Sequence, residues 1–248
     1  MPAPHAGWGG EAFTPAPSDT YNQSMDAPAP LRLRDLSLDS LIDRLASSDP
    51  VPGGGSAAAV AASLGAALVA MVAGLSVGRT KYAEHEELLE WAGTTGRDLA
   101  SRFLDLADED AHAYAGYSGA LKLPKTAEAE AAVRRTAIQA AARAAAEVPL
   151  ECVEACLSLV GAAEAMAGRS NANASSDLNV ASLLGLAAAR SAAANVLVNL
   201  PAIDDEGYVG TMTARVQELL NEIDRIVSET SETVLSGEER PAVPPIDD

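Results

Sequence analysis

Alanine supplies 52 of the 248 residues, about a fifth of the chain, while aromatic residues make up only 4%. Alanine is the strongest helix former, and strands draw on the aromatic residues that are scarce here. The balance predicts an all-α protein, a multi-helix bundle with long central helices. A hydrophobic content of 48% suffices for a packed core at this length. With 17 Lys and Arg against 35 Asp and Glu, the net charge of −18 disfavours a nucleic-acid partner.

The two cysteines, Cys152 and Cys156, stand one helical turn apart. That is a poor geometry for a disulfide and suits a reducing compartment. The first 20 residues have neither the basic region nor the apolar core of a secretory signal, so a cytoplasmic location is expected. Val51 to Gly78 is uncharged but built from Ala, Gly and Ser, which reads as a central helix of a soluble bundle and predicts no membrane partner.

Residues 1–30 are rich in Pro and Ala and show no apolar period, so a disordered extension is expected there, with a flexible tail at 237–248 and a helical domain over 31–236. Leu38, Leu41, Ile42 and Leu45 mark a short amphipathic helix after Ser37 or Asp35. Helices follow over about 56–77, 83–117, 126–149, 150–166, 178–200 and 208–235. Gly93 and Gly96 weaken the second of these, and Pro149 is expected to kink or break the chain between the third and fourth.

Four features carry possible chemistry. Gly53, Gly54 and Gly55, followed by Ser56 at a helix start, permit close backbone approach or positive φ, or form a plain turn capped by Ser56. Asp110 follows Leu99 by 11 residues and Phe103 by 7, which puts a carboxylate on the apolar stripe, where it needs an ion-pair partner or a proton-transfer role. Its neighbours Asp108 and Glu109 read as solvated. Asp177 heads an apolar helix as a possible cap, and Asn195 and Asn199 lie near the other end, where buried amides demand partners. Lys81, in Arg79-Thr80-Lys81-Tyr82, is a cation in an acidic chain. His85, His112 and the cysteines form no ligand set, so no metal is expected.

In order along the chain, PVPGGGSAAAVAASLGAALVAMVAGLSVGRTKY, LADEDAHAY, KLPK, AAEVPL, SNANASSDLNVA and NVLVNLPAIDD resemble the cyclodeaminase/cyclohydrolase family of folate enzymes, over about residues 36–235. The resemblance implies a homodimeric all-α bundle acting on a one-carbon derivative of tetrahydrofolate. The first expected activity is closure of 5-formiminotetrahydrofolate to 5,10-methenyltetrahydrofolate with loss of ammonia. The alternative is hydrolysis of 5,10-methenyltetrahydrofolate at the same site, and a noncatalytic helical oligomer is the more distant one. Both reactions pass through a tetrahedral carbon between N5 and N10 and require no metal or redox cofactor. On the matching positions the resemblance implies Asp110, Asp177 and Lys81 as catalytic residues. It likewise implies Gly53, Gly54, Gly55 and Ser56 as substrate contacts, joined by Asn195 and Asn199. Lys81, Lys122, Lys125 and Arg143 are the cations available to the anionic glutamate tail.

Overall fold

The computed structural model describes residues 32–242, so the expected disordered extension at 1–30 lies outside the described residues. Six helices account for most of them: α1 (Leu38–Leu45), α2 (Gly54–Gly74), α3 (Glu86–Leu121), α4 (Glu128–Met166), α5 (Ser175–Asn199) and α6 (Glu206–Ser236). No strand occurs among the described residues. Ser37 caps α1 by accepting the Ser40 amide, and Asp205 caps α6 by accepting that of Tyr208.

α2, α3, α4 and α5 form a closed ring in which each packs on the next, and α6 lies against α4 and α5. Neighbours in the ring run antiparallel: Ser63 reaches Ala100, Arg102 reaches Glu151, and Asn199 reaches Ala145. Small residues set the spacing. A Cβ on Gly96 would lie 2.8 Å from the Ala66 carbonyl oxygen, so the glycine that weakened the helix prediction is what lets α2 and α3 touch. Phe103, Leu106, Leu159, Leu178 and Ile223 fill the interior and are almost wholly buried. Each such side chain contributes about 1.5–3 kcal/mol.

Three expectations need correction. Pro149 does not divide the chain: α4 runs unbroken for 39 residues. The carbonyl left without an amide by the proline belongs to Ala145, and it accepts from Asn199 Nδ2 at 2.6 Å, so continuity leaves no orphan. Asp108 is not solvated but 8% exposed, because the turn Leu33–Asp35 folds onto α3 and the Leu33 amide donates to Asp108 Oδ1 at 2.6 Å. Glu109 does face solvent in part, yet it is held by Arg102 at 3.0 Å. Finally, Glu238–Pro241, placed within a flexible tail, are docked. Arg240 N donates to the Gly168 carbonyl at 2.9 Å, and Arg169 Nε donates to that of Pro241 at 2.6 Å.

The lengths of the helices place the site. α3 has 36 residues and α4 has 39, against 21 in α2. Asp110 of α3 stands beside Gly55, so at 1.5 Å per residue the 11 residues on to Leu121 carry the α3–α4 hairpin about 16 Å past the start of α2. The step so formed, closed on its far side by the end of α5, is a cleft.

Candidate active site in the cleft under the α3 overhang

The cleft holds about 310 Å³ and is lined by Pro50, Val51, Gly53–Gly55, Asp110, Ala113, Tyr114, Tyr117, Ala145, Asn195, Val198 and Asn199. One helical face supplies its wall: Asp110, Ala113, Tyr114 and Tyr117 stand at i, i+3, i+4 and i+7 of α3. Volume and mixed lining are those of a small-molecule site.

Asp110 is the half-buried charge at its centre. Gly55 stands so close that a Cβ there would lie 2.2 Å from Asp110 Oδ1, so no other residue type fits beside that carboxylate without displacing it. Gly54 faces open space, and none of the three glycines has positive φ. Glycine is required at Gly55 by the close approach of the Asp110 side chain, and none of the three is required by backbone conformation. Ser56 is not the helix cap. The cap position is Gly53, while the Ser56 hydroxyl is buried inside the first turn, 2.9 Å from both the Ala107 carbonyl and Asp110 Oδ2.

That hydroxyl has a single hydrogen to give. Turned to Asp110, it stabilises the carboxylate; turned to Ala107, it leaves Oγ to accept a proton from the carboxylic acid. The pair serves either protonation state. Burial pushes the Asp110 carboxyl above the usual carboxylate range, against the opposing pull of the Ser56 hydroxyl and amide. A carboxyl tuned upward in a cleft has the chemistry of a proton-transfer group.

The other expected residues divide sharply. Asn195 and Asn199 line the same cleft, half-buried and not fully buried, with their amide nitrogens on the carbonyls of Ser191 and Ala145. Asp177 lies in the first turn of α5, 18 residues before Asn195 and so about 27 Å along the helix from the cleft. It caps nothing: Ala174 holds the cap position without a side-chain hydrogen bond, and Asp177 serves there to complement the helix dipole. Lys81 is also at that far end, paired with Glu239 at 3.0 Å. Arg143 is occupied by Asp205 at 2.8 Å and stacks on Tyr208, whereas Lys122 and Lys125 are exposed in the turn after α3. Sequence reasoning missed Tyr114. The available signal was its place one turn beyond Asp110 in a chain with only five tyrosines. No group of three His, Cys, Asp or Glu among the described residues is placed to hold a metal ion.

Known proteins share this architecture. A family model described as formiminotransferase-cyclodeaminase matches residues 37–218. The methenyltetrahydrofolate cyclohydrolase of Methylorubrum extorquens is 38% identical over 199 residues, covering 80% of this chain and 96% of that protein. The formimidoyltransferase-cyclodeaminase of Rattus norvegicus is 33% identical over 190 residues, which span 77% of this chain but only 35% of the longer rat protein. The crystal structure of formiminotetrahydrofolate cyclodeaminase from Thermotoga maritima superposes with a TM-score of 0.75 at 27% identity, over 83% of this chain and 98% of that one.

Proposed function

The chain belongs to the formiminotransferase-cyclodeaminase family and is an enzyme of folate one-carbon chemistry, and within that family we propose that it hydrolyses the methenyl bridge of 5,10-methenyltetrahydrofolate. The observation that carries the reading is Asp110, held between Gly55 and Ser56 in a cleft walled by two tyrosines, within a chain that matches a methenyltetrahydrofolate cyclohydrolase over nearly all of that relative's length. The reaction adds water to the carbon between N5 and N10, then breaks one C–N bond. As carboxylate, Asp110 takes a proton from the attacking water and offsets the positive charge of the bridge. As acid, it returns the proton to the departing nitrogen, while the carbinol hydroxyl gives its remaining proton to solvent and becomes the formyl carbonyl. Ser56 accommodates both forms. Tyr114 and Tyr117 offer flat rings for the pterin. This chemistry calls for no cofactor. Lys122 lies five residues beyond Tyr117, about 7 Å along α3, where a glutamate tail leaving the cleft meets it and Lys125.

Deamination of 5-formiminotetrahydrofolate is the second reading, favoured by the likeness to the Thermotoga maritima enzyme. The two share the tetrahedral carbon and differ in whether water enters or ammonia leaves. Assaying the purified protein on both substrates separates them: loss of methenyl absorbance with formyl product supports hydrolysis, ammonia release supports deamination, and neither overturns the folate reading.

Twofold pairing belongs to the same reading. α2 and α5 each leave an apolar stripe uncovered, Leu64 and Met71 with Leu75 just past the end of the one, Val180, Leu183 and Val198 on the other. By length and composition alone both segments pass as membrane spans, yet about half of each apolar stretch is already buried in the bundle. A second copy covering these stripes about a twofold axis buries them in a self-complementary interface. Sedimentation giving a monomer at micromolar concentration overturns the pairing.

A further inference from the structure

A proline inside a helix strands the carbonyl four residues before it. In α4 that carbonyl is Ala145 O, and Asn199 Nδ2 donates to it at 2.6 Å. Ala145 and Asn199 both line the cleft that holds Asp110. A carboxamide has one donor end and one acceptor end, and a backbone carbonyl engages only the donor. The contact therefore fixes which way Asn199 points, with Nδ2 on α4 and Oδ1 turned from it. One turn earlier, Asn195 Nδ2 donates to the Ser191 carbonyl at 2.9 Å, which sets its polarity too. Neither amide oxygen receives a hydrogen bond from any described residue.

We infer that Pro149 is a positioning residue of the cleft: by freeing the Ala145 carbonyl it anchors Asn199, so that Asn195 and Asn199 hold two acceptor oxygens ready for the N–H-bearing edge of a bound ring. Only the identity of that ring, a pterin with amino and ring N–H donors, rests on the folate reading above. An unbroken amide ladder in α4 would make Asn199 share the Ala145 carbonyl with a second donor and loosen its hold. The role is distinct from catalysis, since Pro149 touches neither water nor the reacting carbon and acts through Asn199.

The test uses Pro149→Ala, which restores the α4 amide that competes for Ala145, and Asn199→Asp, whose carboxylate cannot donate to a carbonyl. Alanine is favourable in a helix interior, so Pro149→Ala is expected to unfold no lower than the parent. Anchoring is read from the Asn199 side-chain amide in the 15N-labelled full chain. Its bonded proton resonates downfield and exchanges slowly in the parent, and it moves upfield with faster exchange in Pro149→Ala. With 5,10-methenyltetrahydrofolate, each single variant raises KM about three- to tenfold with kcat within about twofold, the size of one lost hydrogen bond. The double variant raises KM no further, because the two changes remove one contact. An unshifted Asn199 amide in Pro149→Ala overturns the anchoring. A shifted amide with KM unchanged overturns the positioning role, and Asn199→Asp with parental KM does the same should Pro149→Ala fail to fold. A parent chain that turns over neither folate defeats the folate reading, while the amide resonance still decides the anchoring.

Discussion

The two ends of the bundle use their polar groups in opposite ways. At the far end, around a cavity of about 140 Å³, the groups face one another: Lys81 pairs with Glu239, Arg240 with Glu164, the Ala172 amide donates to the Tyr82 hydroxyl, and that of Asn171 donates to Ser76. At the cleft end they are half used. Asp110 has only Ser56, and the two asparagine oxygens have no donor among the described residues. Polar groups that satisfy one another hold the fold, while those left with spare capacity on a cleft are free to bind and react. Size alone misleads here, because the smaller cavity is the one whose charged groups are largely paired, His85 Nδ1 on its wall being the buried atom without a partner among the described residues.

The largest expected effect breaks the cleft end alone. Asp110→Asn keeps size and hydrogen-bonding capacity but removes the proton, so turnover should fall about 10²- to 10⁴-fold. In the parent, the acid limb of kcat/KM should lie above the ordinary carboxylate range, because the base must be ionised and burial raises its pKa. That limb should vanish in the variant; near-parental turnover on both folates removes Asp110 from the chemistry. A smaller effect separates neighbouring glycines. Gly55→Ala drives a Cβ into Asp110 and should cost about 10- to 100-fold in kcat/KM, by misplacing a reacting group. Gly54→Ala meets nothing within 4 Å and should leave kcat/KM within about twofold. Equal losses in the two would mean that the turn acts through its flexibility.

These contrasts also show what a one-dimensional reading reaches. Asp110 was legible because its spacing from Leu99 and Phe103 placed it on the buried stripe of α3. The overhang that opens the cleft was not, since it depends on the relative lengths of helices far apart in sequence, and Tyr114 went unnoticed with it. Asp108 misled for a related reason: its cover, Leu33–Asp35, arrives from 75 residues away. Pro149 misled because local propensity counts the lost amide but not the asparagine, 50 residues on, that takes the freed carbonyl. Motif order put Asp177 and Lys81 beside Asp110, whereas one chain holds them at opposite ends of α2 and α5.

At the far end the expected effects concern stability. Gly168 has φ of +73°, and a Cβ there would lie 2.5 Å from the Glu238 carbonyl oxygen. Gly168→Ala must therefore adopt a left-handed conformation and displace the docked segment, at a cost of about 2 kcal/mol, or roughly 4–8 °C in Tm for a domain of this size. Turnover per folded molecule should stay within about twofold, measured below the new transition. A large loss of turnover with Tm unchanged would show that the far end takes part in catalysis.

The smallest effect returns to Asp110 and has the opposite sign. Its folded pKa is raised by burial, so between the unfolded value, about 3.9, and the folded value the native state binds more protons than the unfolded chain. Stability contributed by this group is therefore complete below the unfolded pKa and is lost as pH rises through the folded one, leaving an ionised, half-buried carboxylate as a standing cost above it. Asparagine has no proton to lose. Asp110→Asn should accordingly unfold higher than the parent at pH 7–8, by no more than about 3 °C given the offsetting hydrogen bond from Ser56, and the gap should close as pH falls below about 4. Paired thermal scans across that range decide the sign. A variant less stable than the parent at pH 7 would mean that the Ser56 hydrogen bonds outweigh burial and that the carboxyl is held below, not above, its unfolded pKa.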